Sequence, residues 1–209
     1  MAATNPIDQQ QKNSGNQLFP VFLKLNDLHT VLIGAGNVGL EKLTAILNNS
    51  SEATITVIAK DVLPEVLSLS EAYPRLTIRQ KLFEAIDLDV ADIVVAATDN
   101  SELNRQIRQA AKQRKLLINV ADKPELCDFY LGSVVKKGDL KLGISTNGKS
   151  PTVAKRIKEV LNEALPNELD ITLQQVNELR NTLTGDFAYK VKELNRITAT
   201  LTVKDKREE

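Results

Sequence analysis

The stretch Val31-Leu32-Ile33-Gly34-Ala35-Gly36-Asn37-Val38-Gly39 constrains the fold more than any other part of the 209-residue chain. Val31 to Ile33 is a fully apolar, β-branched run, the pattern of a strand buried on both faces. It passes directly into Gly34-x-Gly36-x-x-Gly39, after which Leu40 to Leu47 reads as a helix. Between a strand and a helix, each glycine has a mechanical task. Gly34 permits a tight turn, Gly36 lets a pyrophosphate approach the backbone, and Gly39 lets the helix lie close on the strand. The phosphates would sit at the helix N-terminus, where unpaired N–H groups and the helix dipole favour negative charge. The motif therefore predicts nucleotide binding at the start of a βαβ unit.

The remaining segments extend that unit. Thr54 to Ile58, Leu76 to Ile78, Asp92 to Ala97 and Leu116 to Val120 read as further strands. Helices are expected from Asp61 and Pro64 to about Glu71, and from the capping run Thr98-Asp99-Asn100-Ser101 to about Gln113. Strands alternating with helices give a parallel, doubly wound α/β sheet. Leu18 to Leu25 is expected as an extended lead-in strand, and 1–17, rich in Gln and Asn, as a disordered tail. After residue 122 the pattern changes. A hairpin is expected around the turn Lys137-Gly138-Asp139, and Gly148-Lys149-Ser150-Pro151 then starts a helical remainder. The expected domains are thus a Rossmann-type domain over 18–122, a hairpin region over 123–148 and a helical region over 149–209.

Composition narrows the function. Lys+Arg and Asp+Glu both number 27, so the chain as a whole carries no polyanion signal. Aromatic residues are only 4%, which leaves few stacking platforms for RNA, and nucleic acid is not the expected partner. No apolar run approaches the ~18 residues of a membrane span, and no signal-peptide pattern opens the chain. A single cysteine, Cys127, excludes an internal disulfide and suits a reducing compartment, so a cytoplasmic protein is expected.

In such sheets the ligand crevice lies at the carboxyl ends of the strands. The loops there hold Gly34 to Gly39, Lys60 and Asp61, Thr98, and Asn119-Val120-Ala121-Asp122. Asp61 lies slightly late for the usual acidic residue at the tip of strand two; it either reaches a ribose hydroxyl or caps the next helix. With no arginine cluster for a 2′-phosphate, NAD is favoured over NADP. Asp122, just beyond strand five, is placed either to act as a general base or to serve as a turn residue. Between Lys136 and Lys158 seven Lys and Arg face one acid, Asp139. This bias runs to the helix start at Lys149 and Ser150, where a polyanionic substrate would fit.

These residues resemble a known family. Phe19-Pro20-Val21-Phe22-Leu23, the glycine turn, Ala96-Ala97-Thr98-Asp99, Asn119-Val120-Ala121-Asp122 and Ser145-Thr146-Asn147-Gly148-Lys149-Ser150-Pro151 are similar to the precorrin-2 dehydrogenases, the dehydrogenase and ferrochelatase module of siroheme synthases. The resemblance covers Leu18 to about Pro166. It implies an intertwined homodimer joined through the hairpin region, NAD-dependent oxidation of precorrin-2 to sirohydrochlorin and, in some members, insertion of ferrous iron as a substrate. Asn37, Val38, Lys60 and Asp61 match the family's cofactor contacts. Asp122 matches the aspartate used in dehydrogenation and, where present, in handling the metal. The tetrapyrrole is a polycarboxylate, in keeping with the basic stretch. Thr146 stands where some members carry a phosphorylatable serine.

Two other readings compete. A carbonyl reductase of the Tyr-x-x-x-Lys type is disfavoured, because Tyr73, Tyr130 and Tyr189 are followed four positions on by Thr77, Val134 and Glu193. A nucleotide-sensing regulatory module would explain the Rossmann half and leave Asp122 and the basic stretch without a task.

Overall fold

The computed structural model describes residues 15–167 and 169–199. Most of the expected N-terminal tail and the charged C-terminal end lie outside these. Five strands, β1 (His29–Ala35), β2 (Thr54–Val62), β3 (Leu76–Gln80), β4 (Ile93–Ala96) and β5 (Leu117–Val120), form one sheet in the order β3-β2-β1-β4-β5. Every pairing is parallel. The apolar runs of β1 and β4 pair at the centre, where both faces are covered, which is why these segments lack polar alternation.

Alternate residues of β1 feed two cores. Leu32, with Ile55, Val57 and Val95, packs against Leu43, Ile46 and Leu47 of α1 (Asn37–Asn49) and Val66 of α2 (Pro64–Ala72). Val31 and Ile33, with Val94 and Ile118, meet Ile107, Ala110 and Ala111 of α3 (Ser101–Gln113) on the opposite face. Leu32 and Ile107 are completely buried, and truncating such a side chain to alanine typically destabilises by ~2–5 kcal/mol. The aliphatic core thus holds the carboxyl ends of β1, β4 and β5 side by side.

One expectation fails. Residues 18–24 form no strand, and Phe19, Val21 and Phe22 are exposed at 86%, 59% and 70%. A strand needs a sheet edge to pair with, and Pro20 lacks one of the donors that pairing requires.

The described residues divide into two compact units, residues 15–133 with 143–155, and residues 134–142 with 156–167 and 169–199. A two-stranded sheet pairs β6 (Ser133–Lys137) with β7 (Leu140–Ile144). Three helices follow, α4 (Pro151–Ala164), α5 (Leu169–Thr182) and α6 (Phe187–Thr198). Within the second unit, the β6–β7 turn is fastened to the start of α5. The Asp139 amide donates to Asp170 Oδ1 at 2.8 Å, and Lys137 Nζ donates to Asn167 Oδ1 at 2.7 Å.

Candidate functional site

The first unit carries two adjoining features at the carboxyl end of its sheet. The first is the glycine turn. Gly34 has φ +104°, and a Cβ there would lie 2.4 Å from the Ala97 carbonyl oxygen, so the residue must be glycine for β1 and β4 to leave the sheet together. At Gly39 a Cβ would meet the Gly34 carbonyl oxygen at 2.2 Å, which fixes how closely α1 lies on β1. Gly36 differs: no atom lies within 4 Å of the Cβ it lacks. It is the N-cap of α1 and makes no side-chain capping bond. The helix starts at Asn37, inside the motif and earlier than its apolar pattern suggested. With Gly36 as N-cap, the amides of Asn37, Val38 and Gly39 have no intrahelical acceptor, and the space beside Gly36 is open, a cradle suited to an anion.

Lys60 and Asp61 are exposed at the end of β2. The β1–β2 register shifts between Ile33 and Ala35, whose partners are Ile58 and Val62, so β2 carries extra residues here. Lys60 and Asp61 fall within that irregularity. The N-cap of α2 is Leu63, without a side-chain capping bond, so Asp61 does not cap the helix. Thr98 is committed locally: its hydroxyl donates to Asn104 Oδ1 at 2.7 Å, and Asn104 Nδ2 donates back to the Thr98 carbonyl at 3.0 Å. That ring sets the β4–α3 loop, with Asn100 accepting the Glu102 and Leu103 amides as the N-cap.

The second feature is a cavity of about 220 Å³ at the end of β5, walled by Lys42, Asp122, Cys127, Tyr130, Thr146 and neighbouring backbone. Asp122 is the one carboxylate in this wall among the described residues. It is both a turn residue and a cavity residue, with φ +57°. Lys42 escaped the sequence reading. It sits one helical turn beyond Gly39 with its side chain 21% exposed, and its ammonium group pairs with Glu41 at 2.9 Å. The only signal available was its place in α1, and nothing in the sequence brings that helix to the β5 turn.

A strap after β5 frames the cavity. The Asp128 amide donates to the Ile118 carbonyl at 2.8 Å. Its carboxylate accepts the Ile118 amide at 3.2 Å and forms a two-pronged ion pair with Arg108 of α3. Asn119, expected to touch a cofactor, instead donates its side-chain amide to the Phe129 carbonyl at 2.9 Å, holding the strap to the strand. The expected substrate residues are also differently employed. Ser150 caps α4 by accepting the Val153 amide at 3.2 Å, and its own backbone is bound at both ends by Thr146 Oγ1. Neither Ser150 nor the exposed Lys149 lines the cavity, whereas Thr146 and Gly148 do. Of the basic run, Lys149 and Lys155 belong to the first unit and the other five residues to the second. No helix among the described residues is long and apolar enough to cross a membrane.

Comparison with known proteins bears on the fold and the family. Residues 21–133 match the family model described as putative NAD(P)-binding, and residues 137–164 match that of the sirohaem biosynthesis protein central region. The siroheme synthase of Methylococcus capsulatus is 30% identical over 161 residues, which is 77% of this chain and 33% of that protein. The siroheme synthase of Escherichia coli O1:K1 is 28% identical over 169 residues, 81% of this chain and 36% of its own. The chain thus spans about a third of the length of these relatives. The solved structure of SirC, a precorrin-2 dehydrogenase, superposes with a TM-score of 0.69 at 25% identity, covering 89% of this chain and 94% of SirC.

Proposed function

The chain belongs to the precorrin-2 dehydrogenase family, whose members form the NAD(P)-binding module of siroheme synthases, and from that premise we propose that it oxidises precorrin-2 to sirohydrochlorin with NAD. The observation that carries the reading is the adjacency, within one unit, of an anion cradle at the end of β1 and a cavity holding a single carboxylate at the end of β5.

The residues present fit a dinucleotide. The open space at Gly36 and the first-turn amides of α1 would hold the pyrophosphate, with Asn37 and Val38 beside it. Asp61, exposed on the rim and free of a capping role, would accept a ribose hydroxyl, with Lys60 next to it. Thr98 would contribute through its backbone, since its hydroxyl is bound to Asn104. Asn119 would act at one remove, by fixing the strap. When bound, NAD supplies the acceptor for a hydride. The oxidation also releases a proton, and Asp122, the carboxylate lining the cavity, would receive it.

A cavity of about 220 Å³ is smaller than the ~300–1,000 Å³ that encloses a drug-sized ligand. It would therefore take one edge of the tetrapyrrole, with Lys42 meeting a carboxylate arm, while Lys149 meets others from outside. Iron insertion, as a second activity with ferrous ion as substrate, would rest on Asp122 alone. The free thiol of Cys127 fits a reducing cytoplasm. A homodimer is supported by exposed apolar residues within each unit: Phe19 and Phe22 in the first, Ile157 and Val160 in the second.

The test is Asp122→Ala. Its NAD affinity should be unchanged and its precorrin-2 turnover lost by 10²–10⁴-fold, the usual weight of a general base. Undiminished turnover would remove Asp122 from this role.

A further inference from the structure

Asp122 has a backbone conformation that a residue with a Cβ keeps only when its surroundings impose it. Its φ of +57° lies in the left-handed region, where strain of order 1–3 kcal/mol is typical for a non-glycine residue. The turn Val120–Lys123 is closed by the Lys123 amide on the Val120 carbonyl at 3.3 Å, a long bond. The second restraint is the thiol of Cys127. It accepts the Val120 amide at 3.2 Å and the Asn119 side-chain amide at 3.6 Å. As a donor it faces two carbonyl oxygens, Val120 at 3.2 Å and Lys123 at 3.3 Å.

We propose that Cys127 is a positioning residue for the proposed reaction: its thiol clamps both ends of the turn that presents Asp122 to the cavity. The proposal rests on the reading of Asp122 given above. A cysteine acting only as a small apolar filler would be wrapped in carbon; this one has four polar neighbours, all at the two ends of a single turn or beside it. The clamp needs a protonated thiol, because a thiolate would turn a lone pair toward the two carbonyls. Burial pushes the thiol above its ordinary pKa, against the pull of the Val120 amide, so the proton is retained at neutral pH. The strap itself does not depend on the sulfur. Asp128 and Asn119 bind it to β5 independently, so the consequences of removing the thiol fall on the turn.

The test uses Cys127→Ala and Cys127→Ser in the full chain, each alone and combined with Asp122→Asn. Displacing a reacting group by ~1 Å can lower a rate on the order of a hundredfold. Cys127→Ala should thus lower kcat roughly ten- to a hundredfold, leave KM and NAD affinity in place, and speed amide hydrogen exchange at Ala121, Asp122 and Lys123 in the ligand-free protein. Cys127→Ser, which can donate and accept at the same positions, should restore most of the rate. In the Asp122→Asn background, Cys127→Ala should have almost no further effect. Normal kcat in Cys127→Ala, or an equal loss in both backgrounds, would overturn the proposal while leaving the role of Asp122 intact. Full turnover by Asp122→Asn alone would remove Asp122 from its role, and overturn this proposal with it, while leaving the oxidation itself in place.

Discussion

Gly36 and Gly39 lie three residues apart in the same motif, and the structure predicts opposite consequences for the same methyl group. At Gly39 the new Cβ would stand 2.2 Å from the Gly34 carbonyl oxygen and 2.8 Å from its carbon. Carbon-to-oxygen contacts of this kind settle at ~3.3–3.6 Å, so α1 must retreat from β1 by about 1 Å. That loosens the packing of Leu43, Ile46 and Leu47 on the sheet. Overpacking typically destabilises by ~1–3 kcal/mol, and the better helix propensity of alanine returns up to ~1 kcal/mol. A net loss of about 1–2 kcal/mol lowers Tm by about 2–8 °C in a chain of this size. At Gly36 the methyl meets nothing within 4 Å, and φ is −81°, open to any residue. Alanine is the poorer N-cap by ~0.5–1 kcal/mol, while the stiffer unfolded chain offsets ~0.4–1 kcal/mol. Tm should therefore stay within ~2 °C, yet the methyl occupies the space assigned to the pyrophosphate. Thermal melts and NAD titration of both variants separate the effects. Gly36→Ala should fold normally and bind NAD at least ~10-fold more weakly, a loss of ~1.4 kcal/mol. A Gly36→Ala protein with wild-type NAD affinity would refute the placement of the cofactor.

Three further outcomes follow from individual contacts. Lys42→Met should raise the KM for the tetrapyrrole about fivefold with kcat unchanged, as expected for losing ~1 kcal/mol of contact to a carboxylate at a partly exposed site, and steady-state kinetics would show it. Burial holds the His29 imidazole below its ordinary pKa of 6.5, Asp92 opposing this and Arg79 assisting. The unfolded chain therefore takes up the proton first on acidification. Stability should fall as pH drops below about 6.5, and His29→Gln should flatten that part of the Tm-versus-pH curve. Thr30 is 1% exposed, and its hydroxyl is the one fully buried side-chain polar atom without a partner among the described residues. Thr30→Val removes a desolvation penalty of ~1–3 kcal/mol and should raise Tm with turnover unchanged, as melting and a rate assay would establish.

The sheet was readable because burial on both faces leaves strands such as Val31–Ile33 and Ile93–Ala96 with an unbroken apolar signature. The Asn100 cap and the Ser150-Pro151 helix start were readable because capping is local chemistry. Phe19 to Leu23 has strand-like residues but pairs with no strand among the described residues, and local pattern cannot supply a partner. Ser150 was read as a ligand residue when its hydroxyl serves the helix it begins. Asn119 was placed correctly at the end of β5, but the carbonyl that claims its side chain belongs to Phe129, ten residues on. Lys42 and Cys127 were missed as wall residues for a similar reason. Each acquires its neighbours only when separate segments close on the β5 turn, and neither lies in a spacing that signals it.

Anaerobic incubation of the full chain with precorrin-2 and NAD, following NADH absorbance and the sirohydrochlorin spectrum in one cuvette, tests the central claim most directly. The account predicts that both signals rise together in equal amounts. No NADH from a protein that demonstrably binds NAD would contradict it and leave a nucleotide-binding module without this oxidation.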